Sequence, residues 1–283
     1  VGAIGLTLLV DFLLSIAIDP RSPLRGDAFT SVVQAPLVEE FFKGLGVFLI
    51  YVFARRAFDG PVDGIVYGAL VGAGFAFTEN IQYFAVSLIE GGFEETTATF
   101  FVRGILSPLA HAMFTSAPGF ALGLAACRGY GPTAALGPGL IGLAGAVALH
   151  ALWNGSAVFG DFIPLYVTVQ VPFFIAFILG VLALRREEAR LTRARLGDYA
   201  AAGWFTPQEV NMLATGPGRR AGLAWARTLP GDRTRIMKSF ILDATRLAAA
   251  RQRAISGRDP LAFEMERELL ARTAQARATL FAP

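Results

Sequence analysis

Five side chains able to move protons or bind a metal stand in four short motifs of this sequence. Glu39 and Glu40 are adjacent, with Lys43 four and three residues on; Glu79 and Asn80 close the motif Phe75-Ala76-Phe77-Thr78-Glu79-Asn80; His111 precedes Thr115 and His150 precedes Asn154, each by four residues. On a helix, residues three or four apart share a face, so Lys43 reaches either glutamate and each histidine has a hydrogen-bonding neighbour one turn away. Desolvated carboxylates serve as general bases. Two imidazoles with carboxylates fit a zinc site of the His/Glu type that keeps a position open for water. They equally fit a metal-free site in which glutamate activates water and His/Asn donors meet an oxyanion. No His-Glu-x-x-His motif selects zinc. Gly-x-Ser-x-Gly and Walker-type loops are also absent from the sequence.

All four motifs lie in long apolar stretches. Hydrophobic residues make up 54% of the chain and charged residues 17%, with a mean hydropathy of +0.52. Such a chain reads as an integral membrane protein. An ionisable side chain at the bilayer centre costs about 2.5 to 3.5 kcal/mol on insertion scales, so several together imply mutual partners and a buried functional site.

The elements that must position these groups follow from hydropathy. Apolar runs at 1–18, 29–53, 62–89, 100–126, 133–158 and 162–184 predict an all-α, polytopic transmembrane bundle of about six spans. Gly68-x3-Gly72 and Gly119-x3-Gly123 suit close helix contact. Arg55, Arg56, Arg128, Arg185 and Arg186 mark one side as cytoplasmic, whereas Glu90, Glu94, Glu95 and Asp161 fall on the other. Arg21 and Arg25 fall on the outer side, where Asp19 and Asp27 offset them. Counted from the outer ends, Glu40, Glu79, His111 and His150 each lie about ten residues in, roughly 15 Å deep at the helical rise. That level is near the midplane of a hydrocarbon core about 30 Å thick.

Charge divides the chain. Residues 1–184, the transmembrane catalytic bundle, hold 7 Lys+Arg against 12 Asp+Glu; residues 185–283, a basic helical cytoplasmic tail, hold 18 against 10. Thr206-Pro207-Gln208-Glu209 and Asp259-Pro260 are helix starts, and Gly216-Pro217 and Pro230-Gly231 punctuate the tail. Its positive charge suits anionic lipids of the inner leaflet as well as a plain solvated face. Sparse aromatic residues argue against nucleic-acid binding. Cys127 is the single cysteine, a spectator with no disulfide or metal motif. Val1 is no initiator and the first run lacks signal-peptide features, so further sequence is expected upstream.

In this order on successive spans, Glu39-Glu40-x-x-Lys43, Phe75-x-x-x-Glu79-Asn80, His111 with Thr115 and His150 with Asn154 resemble the PrsW family of intramembrane proteases. The resemblance covers about residues 29–160. It implies a peptidase of the cell membrane that hydrolyses peptide bonds of single-pass membrane proteins, with anti-sigma-factor-like regulators among the family's substrates. The wider superfamily looks like the CAAX prenyl endopeptidases and Abi proteins, but Lys43 replaces a later arginine and Glu79-Asn80 stands where a histidine is expected, which argues against a prenylated substrate. The resemblance implies that Glu39 or Glu40 activates water, with Glu39 favoured. Glu40, Glu79, His111 and His150 would hold a Zn2+ ion if one is bound. Asn80 and Asn154 would orient groups or donate to the oxyanion, Thr115 would support His111, and Lys43 would hold the glutamate pair. Intramembrane Glu, Lys and His also build proton-coupled transporters, and polar clusters also lock noncatalytic scaffolds.

Overall fold

The computed structural model describes every residue except 1, 56, 57, 161, 258, 260 and 283. Val1, Arg56, Asp161 and Pro260, used in the readings above, thus lie outside the described residues. Helices account for nearly all of the described chain, and no strand occurs among the described residues. The longer ones are α1 (Gly2–Ala17), α2 (Ala35–Phe53), α3 (Pro61–Phe100), α4 (Ala110–Cys127), α5 (Pro132–Phe159), α6 (Val171–Ala201), α7 (Pro207–Ala214), α8 (Gly216–Thr228), α9 (Thr234–Ser256) and α10 (Ala262–Leu280). Three π-helical segments interrupt the regular pattern: Thr30–Gln34, Phe101–Leu106 and Tyr166–Gln170.

The chain divides into two compact units, 1–126 with 131–180 and 127–130 with 181–283. The division falls between Gly180 and Val181 inside α6, whereas composition puts the change at 184/185. The runs Pro61–Cys127, Pro132–Phe159 and Phe162–Ala201 are long and apolar enough to cross a membrane, and the last continues past Gly180 into the second unit; α1 is apolar but shorter. The outward side chains agree with an apolar surrounding: Phe53, Ile89 and Phe93 are each 83% exposed. Apolar surface on this scale does not persist against water on a soluble monomer.

Two features differ from the hydropathy reading. The expected loop at 90–99 is reduced to a turn at Gly91-Gly92, where Gly92 takes φ 69, a conformation glycine adopts without a Cβ clash. The arms on either side run antiparallel. Ser87 Oγ lies 3.5 Å from Thr96 Oγ1, and the rings of Phe84 and Phe100 are 5.9 Å apart. Glu90, Glu94 and Glu95 therefore sit in the helical arms. The run 100–126 is also broken. Pro108 cannot donate a helical hydrogen bond and its ring opposes the preceding turn, so the chain leaves the helix at Ser107 and starts again at Ala110. His111 consequently lies in the first turn of α4, not ten residues into a span.

The second unit has its own core, built on Leu196, Tyr199, Phe205, Leu213, Phe240 and Leu247. Helix α7 opens with a complete capping box: Glu209 N donates to Thr206 Oγ1 at 3.2 Å and Thr206 N to the Glu209 carboxylate at 2.7 Å, with Pro207 beside the cap. Thr215 caps α8 in turn. Pro230 and Gly231 fall between α8 and α9.

Candidate active site

Glycine spacing sets the distance between α3 and α4. A methyl group added at Gly64, Gly68 or Gly72 would overlap the backbone carbonyls of Gly119, Thr115 and His111 respectively. Three small residues one turn apart thus let the two backbones touch, and the contact fixes the height of His111 and Thr115 against Phe75 and Glu79. Gly142 on α5 similarly lies against Ala117 and Pro118 of α4. The rings of His111 and His150 come within 5.1 Å, edge to face, and Phe114 stacks on His150 at 5.2 Å.

The charged groups form one continuous network. Lys43 Nζ donates to Glu40 Oε1 at 2.7 Å and to Glu39 Oε2 at 3.1 Å, lies 2.9 Å from His111 Nδ1, and sits 4.0 Å above the Phe75 ring. Glu40 and Lys43 are fully buried. Glu40 also accepts from Thr115 Oγ1 at 3.1 Å and lies 3.0 Å from His150 Nδ1. Glu79 lies 3.1 Å from His111 Nε2 and pairs with Arg103.

These partners define the imidazole tautomers, because an ammonium only donates and a carboxylate only accepts. His111 donates Nε2–H to Glu79 and accepts from Lys43 at Nδ1. His150 donates Nδ1–H to Glu40, which leaves Nε2 with its lone pair free to bind.

A cavity of about 420 Å³ opens onto this network. Glu39, Glu79, Asn80, His111, His150 and Asn154 line it, whereas Glu40, Lys43 and Thr115 lie behind its wall. Adjacent helical residues point about 100° apart, so of the tandem glutamates only Glu39 faces the space while Glu40 points into the packed interior.

The metal-ligand grouping shifts accordingly. Glu39, His111 and His150 each offer one ligand atom, all within 4.8 Å of one another. Glu40, one of the expected ligands, spends its oxygens on Lys43, Thr115 and His150, and Glu79, the other, on Arg103 and His111. Two imidazoles beside one carboxylate match the residue types of hydrolytic zinc sites, and His150 Nε2 is open to such an ion, whereas His111 would take it up in exchange for its Lys43 contact. Asn80 Oδ1 accepts from Arg103 Nε at 2.9 Å, and Asn154 Nδ2 donates to the Ser31 carbonyl at 2.8 Å, tying α5 to the first π-helical segment.

Two cavity residues escaped the sequence reading. Arg103 reaches Glu79 and Asn80, and Asp11 of α1 accepts from Gln34 Nε2 at 3.0 Å. Both were open to detection by the signal that flagged the glutamates, an isolated charge in an apolar run.

An apolar helical bundle closed around a buried carboxylate–imidazole centre defines the class: a membrane protein with a hydrolase-type site. The chain belongs to the PrsW family of intramembrane metalloproteases, whose sequence model matches residues 1–178. It is similar to Protease PrsW of Geobacillus kaustophilus, 40% identical over 98 residues, which cover 35% of this chain and 40% of that protein. It is also similar to Protease PrsW of Bacillus subtilis, 40% identical over 100 residues, 35% of this chain and 42% of the relative. The chain thus spans about two-fifths of the length of the curated relatives it matches. No solved structure matches it.

Proposed function

We propose that this protein is an intramembrane endopeptidase that hydrolyses peptide bonds of single-pass membrane proteins, anti-sigma-factor-like regulators among them. The observation that carries the reading is the meeting of Glu39, His111 and His150 at one cavity inside an apolar bundle. Bringing two imidazoles and three carboxylates together in such a bundle is costly, and a water-activating site gives that cost a purpose.

Glu39 takes the proton shed by the attacking water, since it is the tandem glutamate that faces the cavity. With Glu39 kept as the base beside them, His150 through its free Nε2 and His111 in exchange for its Lys43 contact would hold Zn2+, and the ion when bound would polarise the carbonyl and acidify its water. Glu40 orients His150 through Nδ1, as carboxylates do behind histidine ligands. Lys43 and Thr115 fix Glu40, and Glu79 orients His111. The network is buried, which keeps bulk water away while a peptide bond enters through the cavity.

The same proposal places six spans in the cell membrane with the tail at the cytoplasmic face, its arginines resting on anionic inner-leaflet lipids. Arg55, Arg128, Arg185 and Arg186 near the ends of the apolar runs and the +8 balance of residues 185–283 support it.

The test is cleavage of a single-pass substrate by the purified protein in lipid vesicles, with metal analysis before and after chelation. Glu39→Gln and His150→Ala are expected to abolish cleavage while inserting normally. Cleavage at the wild-type rate by both variants sinks the reading.

A further inference from the structure

The turn at Gly92 has a chemical consequence at the cavity. It folds the second arm of α3 back along the first, and the π-helical segment Phe101–Leu106 continues that arm, so that Arg103 returns to the level of Glu79 and Asn80, 24 and 23 residues earlier. The extra residue per turn in a π-helix redirects side chains, and such segments concentrate at functional sites. Arg103 Nε donates to Asn80 Oδ1 at 2.9 Å, an Nη2 hydrogen bond joins Glu79, and the guanidinium lies 3.7 Å from the centre of the Tyr83 ring. Three contacts hold the plane, and Nη1 is left without a protein partner among the described residues.

Arg103 is the only Lys or Arg among the described residues that line the cavity. The other charged wall groups, Asp11, Glu39 and Glu79, are carboxylates. Lys43 is committed behind the wall to both tandem glutamates. A reaction that builds negative charge on a carbonyl oxygen in this space therefore has one fixed side-chain cation to meet it, beside any metal ion held there.

We propose that Arg103 is a catalytic residue, donating from Nη1 to the oxyanion of the tetrahedral intermediate; this rests on the peptidase reading above. The water oxygen bonds to the carbonyl carbon, the C=O π pair moves onto oxygen, and the water proton passes to Glu39. The C=O bond then re-forms as the C–N bond breaks, and the Glu39 proton goes to the departing amine nitrogen. Arg103 gives up no proton; its N–H bond meets more charge in the intermediate than in the bound peptide, which is the condition for raising rate rather than affinity.

The experiment compares the full chain with Arg103→Lys and Arg103→Ala variants in vesicles, using a fluorogenic transmembrane peptide and the same peptide with a phosphinate, a tetrahedral anion, at the scissile position. Expected results are a fall in kcat of about 10²- to 10³-fold with KM unchanged, the scale of a lost oxyanion donor. Phosphinate affinity should fall while affinity for the uncleaved peptide holds, and added guanidinium should restore part of the Arg103→Ala rate. Equal losses of peptide and phosphinate affinity, or loss of His111-dependent metal binding without guanidinium rescue, would overturn it in favour of positioning through Glu79. If the wild-type protein cleaves nothing yet phosphinate binding still depends on Arg103, the peptidase reading fails and the oxyanion role fails with it, leaving an anion site. Unaltered kcat in both variants also rejects the proposal.

Discussion

Glu40 Oε1 lies 3.0 Å from His150 Nδ1, although 110 positions separate the two residues in the chain. The contact makes Glu40 a support of the cavity rather than part of its wall. Removing its negative charge by Glu40→Gln is expected to lower zinc affinity by about 10- to 100-fold, the usual effect of losing a carboxylate behind a histidine ligand. Glu39→Gln should instead stop turnover with the protein still folded. Zinc titration with a competing chelator, beside single-turnover cleavage, separates the two; identical behaviour of both variants would contradict the division of labour.

Lys43 is the cation that compensates two buried carboxylates. Lys43→Met keeps most of the side-chain length and leaves Glu40 without its ammonium, so stability should fall by about 3–5 kcal/mol, the usual result of breaking a buried pair from one side. The double variant Lys43→Met/Glu40→Gln should recover part of the loss, because no uncompensated charge remains. Denaturant unfolding in detergent of the wild type, both single variants and the double variant measures this. Strictly additive losses would mean that the pair is not coupled.

The α3–α4 seam gives a matched comparison. Gly72→Ala places a methyl against the His111 carbonyl, so the helices must separate, costing about 1–3 kcal/mol by overpacking and displacing His111. Gly74→Ala, two residues on, meets nothing within 4 Å and should leave both stability and cleavage as they are. Thermal unfolding together with a cleavage assay checks the pair, and equal tolerance of the two would show that close approach does not set the site.

In the second unit, Tyr199 donates its hydroxyl to Glu266 at 2.6 Å. Burial first, then the Glu266 carboxylate as hydrogen-bond acceptor and neighbouring charge, raises the phenol above its ordinary value. The folded state thus prefers the neutral phenol. This contribution is complete below the unfolded value of about 10 and is lost as pH rises above it toward the folded value. Tyr199→Phe should flatten the fall in stability of this unit above about pH 10; near-UV circular dichroism of the full chain across that range reads it. A fall equally steep in the variant would exclude Tyr199 as its source.

The buried ionisable groups were legible in one dimension because such a residue in an apolar run calls for a partner. Glu39, Glu40, Lys43, Glu79, His111 and His150 were all visible by that rule, and the structure brings them into one network. Arg103 and Asp11 obey the same rule and went unused, since neither belongs to a recurring motif. The Gly-x3-Gly spacings pointed correctly to close helix contact, but not to the backbone carbonyls they touch.

Helical character, an apolar bundle and the identity of the polar groups were determined by the sequence alone, because hydropathy and side-chain chemistry are local properties. The tertiary structure decided which glutamate faces the cavity, which partners the histidine nitrogens meet, and that Arg103 returns to Glu79. Those outcomes depend on a positive φ at Gly92, a helix interrupted at Pro108 and the rotational phase of each helix against its neighbours. A shift of one residue turns a side chain by about 100°, so composition and spacing leave that phase open until packing settles it.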